Sequence, residues 1–166
     1  MIEVIYLDMD GVLSDFTKRY IELFGIEPDK VPKKNWIPYW EEFVSGENFK
    51  TLDWHSGGKE LLAGVVSFAK ENNIQIHILT SAGGYTMLDS IALQKRRWLL
   101  DNNIKHKYCH IVPGKRYKKD FAAPNVLLID DMEKNVLQFK EYGGNAICHS
   151  GDAKATLEEL SGYANV

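Results

Sequence analysis

Apolar and polar positions alternate between two periods along this chain. "EVIYLDMD" (3–10) is a short apolar run rich in β-formers, as expected of a strand covered on both faces. "DFTKRYIELFG" (15–25) then spaces Phe16, Tyr20, Leu23 and Phe24 as one face of a helix, with Gly25 as its stop. After that the texture changes: Pro, Gly and aromatic residues carry only short helical patches, so about 15–56 reads as an insertion. Regular alternation resumes with the helix "GKELLAGVVSFAKENN", with Leu61, Leu62, Val65, Val66 and Ala69 as its stripe, and the strand "IQIHILTS". The helix "TMLDSIALQKRRWLLDNN", with Leu88, Ile91, Trp98 and Leu99 on one side, leads to a short strand at "YCHIVP". The apolar run "NVLLIDD", the helix "EKNVLQFKEYGG", the strand "NAICHS" and a helix from about Asp152 to Tyr163 complete the series.

Strands separated by helices predict a doubly wound α/β fold with a parallel sheet. A core of 1–14 and 57–166, interrupted by the 15–56 insertion, is the expected organisation. At 166 residues the chain has room for one full domain and at most a modest second module. With 45% hydrophobic and 26% charged residues it is expected to be an ordinary soluble globular protein. The strand-like start after Met1 leaves no room for a signal peptide, and no apolar run approaches the roughly 20 residues of a membrane span, so a cytoplasmic setting is expected. Cys109 and Cys148 lack CxxC spacing and read as two reduced thiols rather than a zinc site. A net charge of −3 gives no global attraction to nucleic acid.

Three predicted strand ends carry unusual polar residues: Asp8 and Asp10, Thr80 and Ser81, Asp130 and Asp131. Ligands of such sheets bind beyond the carboxyl ends of the strands, where these groups would converge. Four carboxylates in one crevice repel one another unless a cation lies among them, and oxygen-only ligands favour Mg²⁺ over zinc. Free backbone N–H groups and small hydroxyls at strand-to-helix turns suit a phosphate. A phosphoryl compound is therefore the expected ligand.

These motifs carry a family resemblance. "DMDGVLSD" resembles the DxDGV/T motif of the haloacid dehalogenase (HAD) superfamily, "ILTS" its second motif and "LLIDDMEKN" its acidic fourth motif, while residues 15–56 fall where that superfamily places its C1 cap. The resemblance implies a phosphohydrolase in which Asp8 is the nucleophile that forms an aspartyl-phosphate, and Asp10 the acid that protonates the leaving alkoxide and then deprotonates water. Asp8, the backbone carbonyl of Asp10 and Asp130 would hold Mg²⁺, with Asp131 close by. Gly11 would let the chain turn sharply, and Thr80 and Ser81 would bind the phosphoryl group.

The superfamily's phosphate lysine has three candidates, Lys115, Lys118 and Lys119. Lys118, three residues before Phe121, fits best. Lys95, on the amphipathic helix, reads equally well as a surface lysine. Trp36, Trp40 and Phe43, in the aromatic insertion, are candidates to line a substrate pocket, since aromatic faces stack on nucleobases. The combination looks most like the 5'(3')-deoxyribonucleotidase branch, which implies nucleoside monophosphates as substrates. The lysine-rich segment 105–119 keeps open a polynucleotide 3'-phosphate end. Another small metabolite or a non-catalytic phospho-ligand-binding domain completes the alternatives.

Overall fold

The computed structural model describes residues 1–165. Among them, five strands form one all-parallel sheet: β1 (Val4–Leu7), β2 (Gln75–Ser81), β3 (Cys109–Val112), β4 (Val126–Asp130) and β5 (Asn145–Cys148), in spatial order β3-β2-β1-β4-β5. The helices are α1 (Phe16–Phe24), α2 (Trp36–Ser45), α3 (Gly58–Glu71), α4 (Leu88–Asp101), α5 (Glu133–Glu141) and α6 (Ala153–Ser161). The expected doubly wound α/β fold is present, each strand lying on the apolar run that marks it.

Side chains alternate across each strand, so both faces of the central strands must be apolar. Ile5, Leu7, Ile78, Leu127, Ile129 and Ile147 pack with Leu61 and Val65 of α3, Ile91 and Trp98 of α4 and Leu160 of α6. Tyr6, Leu79, Leu128 and Ala146 face the other way, against Val136 and Phe139 of α5. The continuous apolar runs in the sequence follow from this two-sided burial. Val66, expected on the buried stripe of α3, lies at its edge and is exposed. Cys109 and Cys148 are free thiols on the two edge strands. Among the described residues no helix is long and apolar enough to cross a membrane.

The insertion leaves the core after Ser14 and returns beside it, where Ser14 bridges Trp54 and the Asp15 amide donates to Asp53 O at 2.9 Å. Asp15 caps α1 through Lys18 N, and Gly25 ends it in the left-handed region at φ 69°. Tyr20, Val31, Phe43, Val44, Phe49 and Leu52 of this segment share one buried cluster with the sheet residues. Helix α4 also holds its backbone, Gln94 Nε2 donating to Val44 O, Gln94 Oε1 accepting from Phe49 N and Trp98 Nε1 donating to Leu52 O, while Asn102, just past the helix, accepts at Oδ1 from the Trp54 side chain. The boundary at 15–56 is therefore one of chain path, and the packing runs through it.

The chain steps from β1 to β2 and β3 on one side, then crosses to β4 and β5 on the other. That reversal opens a crevice at the carboxyl ends of β1 and β4, the place where such sheets bind ligands.

Candidate active site

The register of β1 with β4 pairs Leu7 with Ile129, which sets the next residues, Asp8 and Asp130, side by side at the crevice. The Asp8 amide donates to Ile129 O at 3.1 Å, and both carboxyl side chains are buried. Beyond Asp8 the chain folds into a tight turn in which Met9 O accepts from the amides of Val12, Leu13 and Ser14. Gly11 makes that turn possible on two counts. Its φ is +80°, and a Cβ there would run into the Asp131 carboxylate. The turn leaves the Asp10 side chain lining the cavity, with Ser14 Oγ donating to its Oδ1 at 3.2 Å.

Lys118 reaches this centre from the 3₁₀ turn Lys115–Phe121. Its Nζ lies 3.0 Å from Asp8 Oδ1 and 2.7 Å from Asp130 Oδ2. Asp130 is held from all sides, since Met132 N donates to Oδ1 at 2.9 Å and Asn135 Nδ2 to both oxygens at 3.2 Å. In Asp8 the Met9 amide also donates to Oδ1, at 2.8 Å, so Oδ2 has no protein donor among the described residues. Burial, and then the neighbouring Asp130, Asp131 and Asp10, push the Asp8 carboxyl up to about 8 against the pull of Lys118. Burial and then Asp130 push Asp131 up to about 6. Burial lowers the Lys118 ammonium, but Asp8 and Asp130 outweigh it and hold the group above its ordinary range, so Lys118 stays charged.

Asp8, Asp130 and Asp131 each offer a carboxylate oxygen, and these atoms lie within 4.8 Å of one another. The donor set is oxygen only, as a hard cation such as Mg²⁺ requires. Besides burial, repulsion from neighbouring carboxylates raises Asp8 and Asp131, and a cation would relieve that repulsion, so the residues fit the ion. A pH dependence follows. Carboxyls whose folded pKa is raised above the unfolded value contribute stability that is present at low pH and lost as pH rises through about 6 and 8. His77, His110 and His149, pulled down mainly by burial, act with the opposite sign in part of this window. The gain in Tm on adding Mg²⁺ isolates the acidic site: at 100 times Kd it is expected to correspond to about 2.7 kcal/mol at high pH and to shrink as protons compete at about pH 5. Differential scanning fluorimetry with and without Mg²⁺ measures it, and a gain independent of pH would contradict this assignment.

Other predicted residues are placed differently. Of the two residues expected at the phosphoryl group, Thr80 is fully buried, its hydroxyl accepting from Lys95 Nζ at 2.8 Å, whereas Ser81 lines the cavity. Lys115 lines the cavity beside Lys118, whereas Lys119 is turned away, donating to Tyr142 Oη at 3.0 Å. The Asp10 carboxylate lies outside the acidic cluster, on Lys95 and Ser14. Of the three pocket aromatics, Trp40 lines the cavity. Trp36 does not: it is 53% exposed, with Nε1 bonded to Val31 O. Nor does Phe43, which is sealed in the core among Phe16, Tyr20 and Phe49 because the insertion needs an apolar centre of its own size. Phe16 and Phe49 line the cavity in their place.

Lys95 is no surface lysine. It is 1% exposed and bonded to Asp10. Its signal was its spacing, four residues after Ile91 and three before Trp98, on the buried stripe of α4. Ser14 and Asn135 are further polar groups of the site, with no signal beyond lying within the stretches "DMDGVLSD" and "LLIDDMEKN". The cavity has a volume of about 530 Å³ and is lined by the buried Asp8 and Lys118, by the half-buried Ser81, Phe16 and Trp40, and by the exposed Glu27 and Asp29.

No family model matches the sequence, and no curated protein matches it. Solved structures do match. A HAD-superfamily hydrolase from Ehrlichia chaffeensis superposes with a TM-score of 0.52 over 97% of this chain and 99% of that one, at 15% identity. The L-2-haloacid dehalogenase from Xanthobacter autotrophicus gives 0.55 over 100% of this chain and 85% of that one, at 12% identity. A hydrolase from Pseudomonas syringae gives 0.53 over 99% and 100%, at 16% identity. The fold is the HAD-like, Rossmann-type core, with the acidic crevice at the carboxyl ends of its central strands.

Proposed function

We propose that the protein is a Mg²⁺-dependent phosphomonoester hydrolase that works through an aspartyl-phosphate on Asp8, with nucleoside monophosphates, deoxynucleotides foremost, as substrates. The observation that carries the reading is the junction of Lys118 with Asp8 and Asp130, beside a cavity-lining Asp10 carboxylate. A site built only to bind phosphate would gain nothing from four acidic groups around it, whereas transfer to a carboxylate needs a nucleophile, a proton donor and charge neutralisation.

In the first step an Asp8 oxygen attacks phosphorus, the bond to the leaving oxygen breaks, and the Asp10 carboxyl gives its proton to that oxygen. In the second, the Asp10 carboxylate takes a proton from water as the water oxygen attacks phosphorus, the bond to Asp8 breaks and inorganic phosphate departs. Lys118 neutralises phosphoryl charge and holds Asp8 in place throughout, and Ser81 with Lys115 contributes further polar groups to the cavity lining. Mg²⁺, held by Asp8, Asp130 and Asp131, would supply the remaining positive charge.

The lining of the cavity supports the nucleotide reading. The cavity volume of about 530 Å³ is in the range of small-molecule sites, and Trp40, Phe16 and Phe49 supply aromatic surface to it, the kind of surface on which a base packs. A polynucleotide has less support. Lys115 and Lys118 reach the cavity, but Lys105 and Lys107 lie with Lys70 over a shallow depression near Ile76, at the amino-terminal end of the sheet. Phosphate release is expected from deoxynucleoside monophosphates with Mg²⁺ and to stop with EDTA. Preferential release from a 3'-phosphorylated oligonucleotide, falling steeply with salt, would contradict the nucleotide assignment, and no release from any phosphomonoester would contradict the hydrolase assignment.

A further inference from the structure

Lys95 is a cation in a position where the fold calls for an apolar residue. It shares the buried stripe of α4 with Ile91, Trp98 and Leu99 and is itself 1% exposed. An ammonium at such depth is tolerated only when each of its donors is paired. All three are: Nζ lies 2.6 Å from Asp10 Oδ2, 2.8 Å from Thr80 Oγ1 and 3.0 Å from Ser81 O. The Phe49 ring, its centroid 5.1 Å away, adds a cation–π contact.

Each of these acceptors belongs to the strand ends that build the site, and one of them is a carboxylate with an open face. The Asp10 side chain is 29% exposed and lines the cavity, with Oδ2 held by the Lys95 ammonium and Oδ1 accepting from Ser14 Oγ, a hydroxyl that turns away when Oδ1 carries the proton. A carboxyl free to rotate about its side-chain torsions would present its proton to the leaving oxygen only part of the time. Fixing it between a buried ammonium and a buried hydroxyl removes that loss, and misplacement by an ångström is enough to cost orders of magnitude in rate.

We infer that Lys95 is the positioning residue of the proton donor: it sets the Asp10 carboxyl against the leaving oxygen, and so determines how well the protein cleaves esters whose leaving group is a poorly stabilised alkoxide. This rests on the proposed role of Asp10 as general acid. Lys118 is not a substitute, because its contacts are to Asp8 and Asp130. Gln94, the neighbour of Lys95, bonds Val44 O and Phe49 N, so α4 holds the insertion and the proton donor with adjacent residues.

The test compares kcat/KM for an alkyl phosphomonoester and for 4-nitrophenyl phosphate. This parameter ends with departure of the leaving group, and 4-nitrophenolate leaves without a proton whereas an alkoxide does not. In Lys95→Met the alkyl-to-aryl ratio is expected to fall by about 10²-fold, the lower range of general acid catalysis. Thr80→Val, which keeps the lysine and removes one of its anchors, is expected to lower the ratio in the same direction by a smaller factor, and decides the matter if Lys95→Met does not fold. Asp10→Asn is measured alongside. A lowered ratio in Asp10→Asn with an unchanged ratio in the Lys95 and Thr80 variants would overturn the inference and leave the proposed function standing. An unchanged ratio in Asp10→Asn would overturn both.

Discussion

Asp8→Asn is expected to lower kcat on the order of 10⁴-fold or more, the scale on which removal of a covalent nucleophile acts. The amide keeps the shape of the side chain and can still meet the Met9 amide and Lys118, so the substitution removes the attacking electron pair while disturbing the packing little. Stability should respond in the opposite sense to activity. The Asp8 carboxyl is buried beside three other carboxylates and is pushed up to about 8, which marks its charged form as costly in the folded chain. A neutral amide avoids that cost, so Asp8→Asn without Mg²⁺ is expected to unfold at a temperature no lower than the unsubstituted protein at about pH 8. Steady-state phosphate release and thermal unfolding measure the two effects. Turnover retained within tenfold would remove Asp8 from the chemistry.

Lys118→Met carries the largest expected effect on stability. The ammonium is buried with Asp8 and Asp130, and its removal leaves two buried carboxyls adjacent with no cation between them. Breaking a buried pair from one side costs about 3–5 kcal/mol, which for a chain of this length lowers Tm by on the order of 10 °C. The sign with pH follows from the same charges. Without Lys118 the opposing pull on Asp8 is lost and its folded pKa rises further, so the variant's stability is present at low pH and falls as pH rises. The gap between the variant and the unsubstituted protein is therefore expected to be smaller at about pH 5 than at about pH 8, and activity is lost at both. Urea unfolding at the two pH values reads this out. A gap that does not change with pH would mean that Lys118 acts through packing rather than charge.

The strands and the acidic strand ends were legible in the sequence because each is a contiguous stretch: an apolar run marks a strand buried on both faces, and the polar residues that stop it, Asp8, Ser81 and Asp130, lie at the edge of the sheet by chain continuity. Lys118 could be chosen because its spacing from Phe121 resembles that of the superfamily's phosphate lysine, on the turn that feeds β4. What one strand end meets from a distant helix is set by packing across the fold. Thr80 looked like a phosphate ligand because it lies at a strand end in a stretch that resembles the superfamily's second motif, yet alternation along β2 sends its hydroxyl into the interior, to Lys95, fifteen residues on. Lys95 itself was readable, since a lysine in step with Ile91 and Trp98 has to be buried or has to break the stripe. The aromatic residues of the insertion could not be sorted by type: Phe43 fills the core, Trp36 caps an edge through Val31 O and Trp40 faces the cavity, three fates for three neighbouring rings on α2.

The central claim is a covalent aspartyl-phosphate on Asp8, and an acyl phosphate can be trapped with borohydride, which reduces the phosphorylated aspartyl carbonyl to the alcohol of homoserine with release of phosphate. Incubation with substrate and Mg²⁺, reduction and peptide mass analysis should place homoserine at residue 8 in the unsubstituted protein and leave the peptide of Asp8→Asn unmodified. Turnover with no homoserine at residue 8, or with homoserine at another aspartate, would contradict the account.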